Sequence, residues 1–172
     1  METLEINTFA FNELQEDIQA KVIAKELDSF LYYWDDSIIQ RAKDIGVSIT
    51  SYDLQAYECG ITLRYSYQEI ADKIIMEYAE DDSINILSKQ FLNTRDLLVE
   101  KYSDGVNKSV VAEDKEYEFD LELDELEDDY RNELEGEFCS QLINEYEYKT
   151  SYEYAKEMFA EYEFTEDGQI IN

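Results

Sequence analysis

The sequence contains no histidine and no proline, only two cysteines and five glycines, and just 14 lysines and arginines against 43 aspartates and glutamates in 172 residues. Each shortage excludes something. Without histidine there is no Ser-His-Asp or Cys-His dyad, no imidazole metal ligand and no side chain that titrates near neutrality by default. The formal charge of −29 repels phosphate backbones and anionic membrane surfaces, because binding either normally requires lysine and arginine. Direct nucleic-acid binding is therefore not expected. No Pro-rich or Gly/Ser-rich linker divides the chain, so residues 1–172 are expected to form one domain. The longest apolar runs are only a few residues, which leaves no membrane span, and the acidic N-terminal stretch lacks a signal peptide's basic and apolar regions. A cytoplasmic protein is the expectation. Cys59 and Cys139 fit no metal or redox spacing and stand among apolar neighbours, so both read as buried thiols. The glycines form neither a Walker loop nor a dinucleotide fingerprint, and no window meets the EF-hand order of ligands. No cofactor and no metal site are expected.

Hydrophobic residues make up 44% of the chain and aromatics 14%, whereas chains kept unfolded by their charge are poor in aromatics. The apolar material suffices for a core. Met1 to Phe9 alternates as a short strand does. Asn12, with Gln15 three residues on, is placed to cap a helix reaching about Tyr33, its inward stripe formed by Leu14, Ile18, Val22 and Leu27. Asp35 or Asp36 caps a second helix that Gly46 terminates. Val47 to Tyr52 and Tyr57 to Tyr65 read as a hairpin. Ser66 and Glu69 make a capping box for the clearest amphipathic helix, with Tyr67, Ile70, Ala71, Ile74, Ile75 and Tyr78 on one face. A fourth helix starts at Ser83 and runs to Tyr102. The aperiodic stretch 103–115 is the candidate mobile loop.

From Glu116 to Asp124 acids and apolar residues alternate with period two, which places every carboxylate on one face if the segment is extended. From Leu126 the step is four: Leu126, Tyr130, Leu134, Phe138, Leu142 and Tyr146 form a stripe that winds slowly around a helix. Whether 116–146 is one helix, or a strand followed by a helix, stays open at this point. Thr150 and Glu153 box a last helix, and Thr165 to Gly168 form a turn before a short Ile170-Ile171 strand. The fold class is α+β, mostly helical, with about six helices, a small antiparallel sheet from the termini and a central hairpin.

The charge is unevenly spread. Residues 1–112 hold 21 acids and 10 bases, net −11, while residues 113–172 hold 22 acids and 4 bases, net −18. Between Glu113 and Glu137 there are 14 carboxylates in 25 residues, with only Lys115 and Arg131 as bases. On a helix that is one charge per roughly 2.7 Å of axis, against about 1.7 Å for duplex DNA and about 3.4 Å for a single strand. Solubility alone needs a net charge of only about 2 to 8 in a small domain. A structural network would interleave the two signs, as surface helices do.

Phe11-Asn12-Glu13-Leu14, Gln19-Ala20-Lys21-Val22-Ile23, Trp34-Asp35, Glu145-Tyr146-Glu147-Tyr148 with Thr150-Ser151, and Tyr162-Glu163-Phe164-Thr165-Glu166-Asp167-Gly168 together resemble a family of small acidic proteins encoded by phages and prophages, mostly of unassigned function. The similarity runs nearly end to end. Relatives carry a basic, glycine-containing hairpin turn where this chain has Leu54-Gln55-Ala56. The resemblance implies a phage setting, and in size and acidity the chain is similar to DNA-mimic anti-restriction and anti-CRISPR proteins. The expectation is a non-enzymatic inhibitor, monomeric or homodimeric, that occupies the basic nucleic-acid groove of a CRISPR effector or restriction enzyme inside an infected host. Its partner-binding residues would be Glu116, Glu118, Asp120, Glu122, Asp124, Glu125, Glu127, Asp128, Asp129 and Glu133. An acidic escort for a basic phage or host protein, without DNA competition, is the alternative. A carboxylate-based enzyme is a third reading, with one tryptophan, Trp34, to stack on a sugar.

Overall fold

The computed structural model describes residues 7–171. Among the described residues, six α-helices and two 3-10 turns, together 61% helical, accompany two small antiparallel sheets of three and two strands. The fold class is α+β and mostly helical. By its contacts the chain divides into two compact units. One takes the chain up to Asp36 and from Ile143 onward, the other Ser37–Leu142.

In the first unit, β1 (Phe9–Ala10), β4 (Glu163–Phe164) and β5 (Ile170–Ile171) form a sheet in the order β1-β4-β5, Phe9 opposite Phe164 and Phe164 opposite Ile170. Most of the strand expected from Met1 lies outside the described residues. The first helix starts later than the Asn12 cap implied. Phe11–Glu13 is a 3-10 turn, closed by the Glu13 carboxylate accepting from the Ala10 N–H at 2.8 Å, and α1 runs Glu16–Phe30 from an N-cap at Gln15. The buried Gln19 donates to the carbonyls of Phe11 and Leu14, so the polar side chain satisfies the turn that displaced the cap. Phe11, Leu14, Val22, Phe30, Ala155, Phe159 and Phe164 form this unit's core. Helix α6 (Tyr152–Met158) is capped by Ser151, whose hydroxyl accepts from the Tyr154 N–H. Thr150, the expected cap, instead donates back to the carbonyls of Tyr146 and Glu147.

The second unit begins with α2 (Asp36–Asp44 at its edge) and Gly46, whose φ of +87° is the left-handed stop expected of it. The hairpin β2 (Val47–Asp53) and β3 (Glu58–Leu63) forms its own sheet. Asp53 closes its turn by accepting from the N–H groups of Gln55 and Ala56. Helix α3 (Tyr67–Glu77) carries the full Ser66/Glu69 capping box. Its far end is held by the buried Asn85, which donates to the carbonyls of Ile75 and Tyr78. Helix α4 (Ser83–Lys101) follows, and Ser103 and Val111 bridge across the base of the next loop.

After a 3-10 turn at Glu113–Lys115, α5 runs unbroken from Glu116 to Lys149, 34 residues. The period-two segment is therefore helical, which settles the alternative that the sequence left open. Within the second unit α5 buries Tyr130, Leu134, Phe138, Cys139 and Leu142. Tyr130 stacks on Phe91 at 4.2 Å between ring centroids and shares a 2.7 Å hydrogen bond with Ser88, and burial pushes its phenol up to about 12. Both cysteines are free and buried; burial, followed by the nearby Cys139 and Glu135, pushes the Cys59 thiol up to about 11.

Candidate protein-binding surface

The ten acids singled out in the sequence all stand on the first half of α5. Because a helix turns about 100° per residue, period-two alternation cannot keep them on one face. They fall instead into two rows. Glu118, Glu122, Glu125, Asp129 and Glu133 follow one line, and Glu116, Asp120, Asp124 and Asp128 follow the other. Leu121 lies between the rows, Asn132 lines a hollow against the β2–β3 hairpin with Tyr52 and Cys59, and Glu127 lies on the inner edge of the second row. Eight of the ten are exposed, the exceptions being Glu122 and Glu127. Ten carboxylates over about 26 Å of axis give roughly one per 2.6 Å, between the spacings of duplex and single-stranded nucleic acid.

The sequence showed that bases are scarce here; the structure shows how they are used. Lys115 donates to the Ser103 carbonyl at 3.1 Å. Arg131 donates to the Ile61 carbonyl at 2.8 Å and pairs with Glu135 at 3.4 Å. Both bases of the acidic stretch thus hold the chain together rather than neutralise the rows. Among the described residues, Glu122 is the one member of the ten that forms an ion pair. Lys101 reaches its two oxygens at 2.6 and 2.7 Å, and the Tyr102 phenol donates at 2.7 Å. Lys101 first, then Tyr102, holds the Glu122 carboxyl below the ordinary range. The opposite shift occurs at Glu127, raised by burial and by Asp124 and Asp128, with Arg95 partly offsetting it.

Two apolar side chains stand among the carboxylates. Tyr117 is 74% and Leu121 54% exposed, so the surface offers contact area as well as charge. A tyrosine in this setting gives a large rigid surface at small entropic cost and a ring face for an arginine. The unpaired state of the rows was foreseeable from the sparse bases. The engagement of Glu122 was not, because Lys101 and Tyr102 lie about 20 residues away and no local spacing announces them.

Among the described residues, no group of three or more histidines, cysteines, aspartates or glutamates converges to hold a metal ion. No helix of the described chain is long and apolar enough to cross a membrane. Compared with known protein families, with curated proteins and with solved structures, the chain matches none.

Proposed function

We propose that the protein is a non-enzymatic, phage-encoded inhibitor acting in the host cytoplasm, where the acid rows of α5 enter the basic nucleic-acid groove of a defence nuclease, a CRISPR effector or restriction enzyme, in place of DNA. What supports the reading is the use of the two bases. Lys115 and Arg131 are spent on backbone carbonyls while eight exposed carboxylates are left uncompensated. Self-repulsion of this kind costs stability. It is offset when a cationic partner arrives, because the partner's lysines and arginines then find charges already fixed on a rigid helix. Long-range attraction steers the encounter, so the association rate falls as salt rises.

The test replaces Glu118, Asp124, Glu125, Asp128, Asp129 and Glu133 by the corresponding amides, all six being exposed. Inhibition of nuclease cleavage by the native chain and by the variant is then compared, with circular dichroism as the check on folding. Loss of inhibition in a folded variant is the expected result. Undiminished inhibition removes the proposal. In the same assay duplex DNA should displace the native protein from its target, whereas a complex that DNA leaves intact is an acidic escort.

A further inference from the structure

Helices α4 and α5 lie side by side and leave a furrow open to solvent. Two hollows of about 480 and 220 Å³ follow one another along it, sharing Thr94, Leu126 and Asp129 as common lining. From Leu87 to Lys101 the furrow follows α4 for about 21 Å. Its floor is apolar, formed by Leu87, Leu97, Leu98 and Leu126. Leu97 is 58% exposed. A single exposed leucine is ordinary on any surface; here Leu97 is joined in one continuous depression by the half-buried Leu87, Leu98 and Leu126.

The walls differ. On the α5 side stand Glu122, Glu125, Asp129 and Glu133, one of the two acid rows, at steps of three, four and four residues. On the α4 side stand the uncharged Gln90 and Thr94, followed by Lys101, which Glu122 already holds. DNA mimicry needs the acid row but gives no use to the leucine floor. A second copy of this chain is a poor occupant, since two bodies each of charge −29 repel.

We infer that the furrow receives an amphipathic α-helix of a partner protein, its leucine-like side chains in the floor and its lysines or arginines along one flank, against α5. The inference extends the proposed function and rests on it only for the partner's basic character. A third helix laid between two packed helices fits its ridge of side chains into their groove. The three- and four-residue steps of the acid row match the three- and four-residue steps at which the incoming helix presents its own flank. The partner helix is therefore cationic on one side only.

The probe is a fluorescein-labelled synthetic peptide of about 18 residues, long enough for five turns of helix, with leucines at i, i+4, i+7 and i+11 and arginines on one flank. A peptide of identical composition in scrambled order is its control, and anisotropy at physiological salt is the readout. The ordered peptide should bind the full chain about ten-fold more tightly than the scrambled one, and Leu97→Ser should remove most of that difference, as expected for one buried leucine. Because Leu97 is more than half exposed, this variant keeps its fold. Equal affinity of the two peptides, or an unchanged difference in Leu97→Ser, overturns the inference. Amides at Glu116, Asp120, Asp124 and Asp128, the row away from the furrow, should leave peptide discrimination within about two-fold while weakening nuclease inhibition. If discrimination survives while inhibition does not depend on either row, the furrow stands and the mimicry fails. Scrambled and ordered peptides bound alike by a chain that still inhibits the nuclease would instead remove the furrow and leave the mimicry standing.

Discussion

In α4, three bases and two acids share 19 residues, whereas α5 sets fourteen acids against two bases over 34 residues. Both helices bury a full stripe in the second unit. Helix α4 contributes Ile84, Asn85, Ser88 and Phe91, and α5 contributes Tyr130, Leu134, Phe138, Cys139 and Leu142. The two stripes meet where Phe91 stacks on Tyr130. Packing therefore makes no demand for the charge that α5 carries, since α4 meets the same demand with signs mixed. The contrast separates the two faces of α5: one holds the fold, and the other is the face on which the proposed partner would dock.

The contrast breaks most readily from the inside. Leu134 is fully buried, and Leu134→Ala should cost about 3 kcal/mol, lowering Tm by roughly 6–12 °C at this chain length. A loss of a degree or less in thermal melting would mean that α5 is not the packing element described. Next in size is the six-amide variant. By relieving like-charge neighbours it should raise Tm by about 3–6 °C at low salt, and the native chain should gain Tm with added salt while the variant gains little. A flat salt response in the native chain would show its carboxylates to be compensated after all.

Mild acid sharpens the comparison further. Glu127 takes up its proton more readily in the folded chain than in the unfolded one, so stability should rise as pH falls from neutrality toward the ordinary carboxylate range. Glu122, Asp104 and Asp167 are held below that range, by Lys101, by the N–H groups of Asn107 and Val106, and by the Thr165 hydroxyl. Their contributions are present above the unfolded values and disappear as pH falls through the folded ones. Tm should pass through a maximum in weak acid, and Glu127→Gln should flatten its neutral side; a melting curve indifferent to that substitution would deny Glu127 its role. The smallest change is at Gly136. A Cβ there meets nothing within 4 Å, so Gly136→Ala should stabilise the helix by about 0.5–1 kcal/mol, read as a rise of about 2 °C in Tm.

Local signals carried much of this fold. The Ser66/Glu69 box, Gly46 and the two β-rich runs around Leu54-Gln55-Ala56 each contain their own geometry within a few residues. The stretch 116–124 did not, because alternation of acid and apolar residues satisfies a strand by period. Composition pointed the other way: from Glu116 to Leu142 there is no valine, isoleucine or threonine, and leucine and glutamate favour helix. Asn12 is not the cap because residues 11–13 close into a 3-10 turn, whose Phe11 carbonyl accepts from Gln19, and α1 begins only after Gln15. At the candidate surface, the identity of the acids was legible and their two-row arrangement followed once the helix was known. The pairing of Glu122 with Lys101 and the influence of Arg95 on Glu127 both come from α4, so only the tertiary structure reveals them.

The two buried thiols have a practical consequence for mapping the acid rows. With Cys59 held up to about 11 and Cys139 raised as well, almost no thiolate exists at neutral pH, and thiolate is the form that alkylating reagents capture. A cysteine installed at the exposed Leu121, between the rows, would then be the one site a maleimide dye labels in the otherwise native chain. The molecule is in effect already prepared for single-position fluorescence, with no background cysteine to remove.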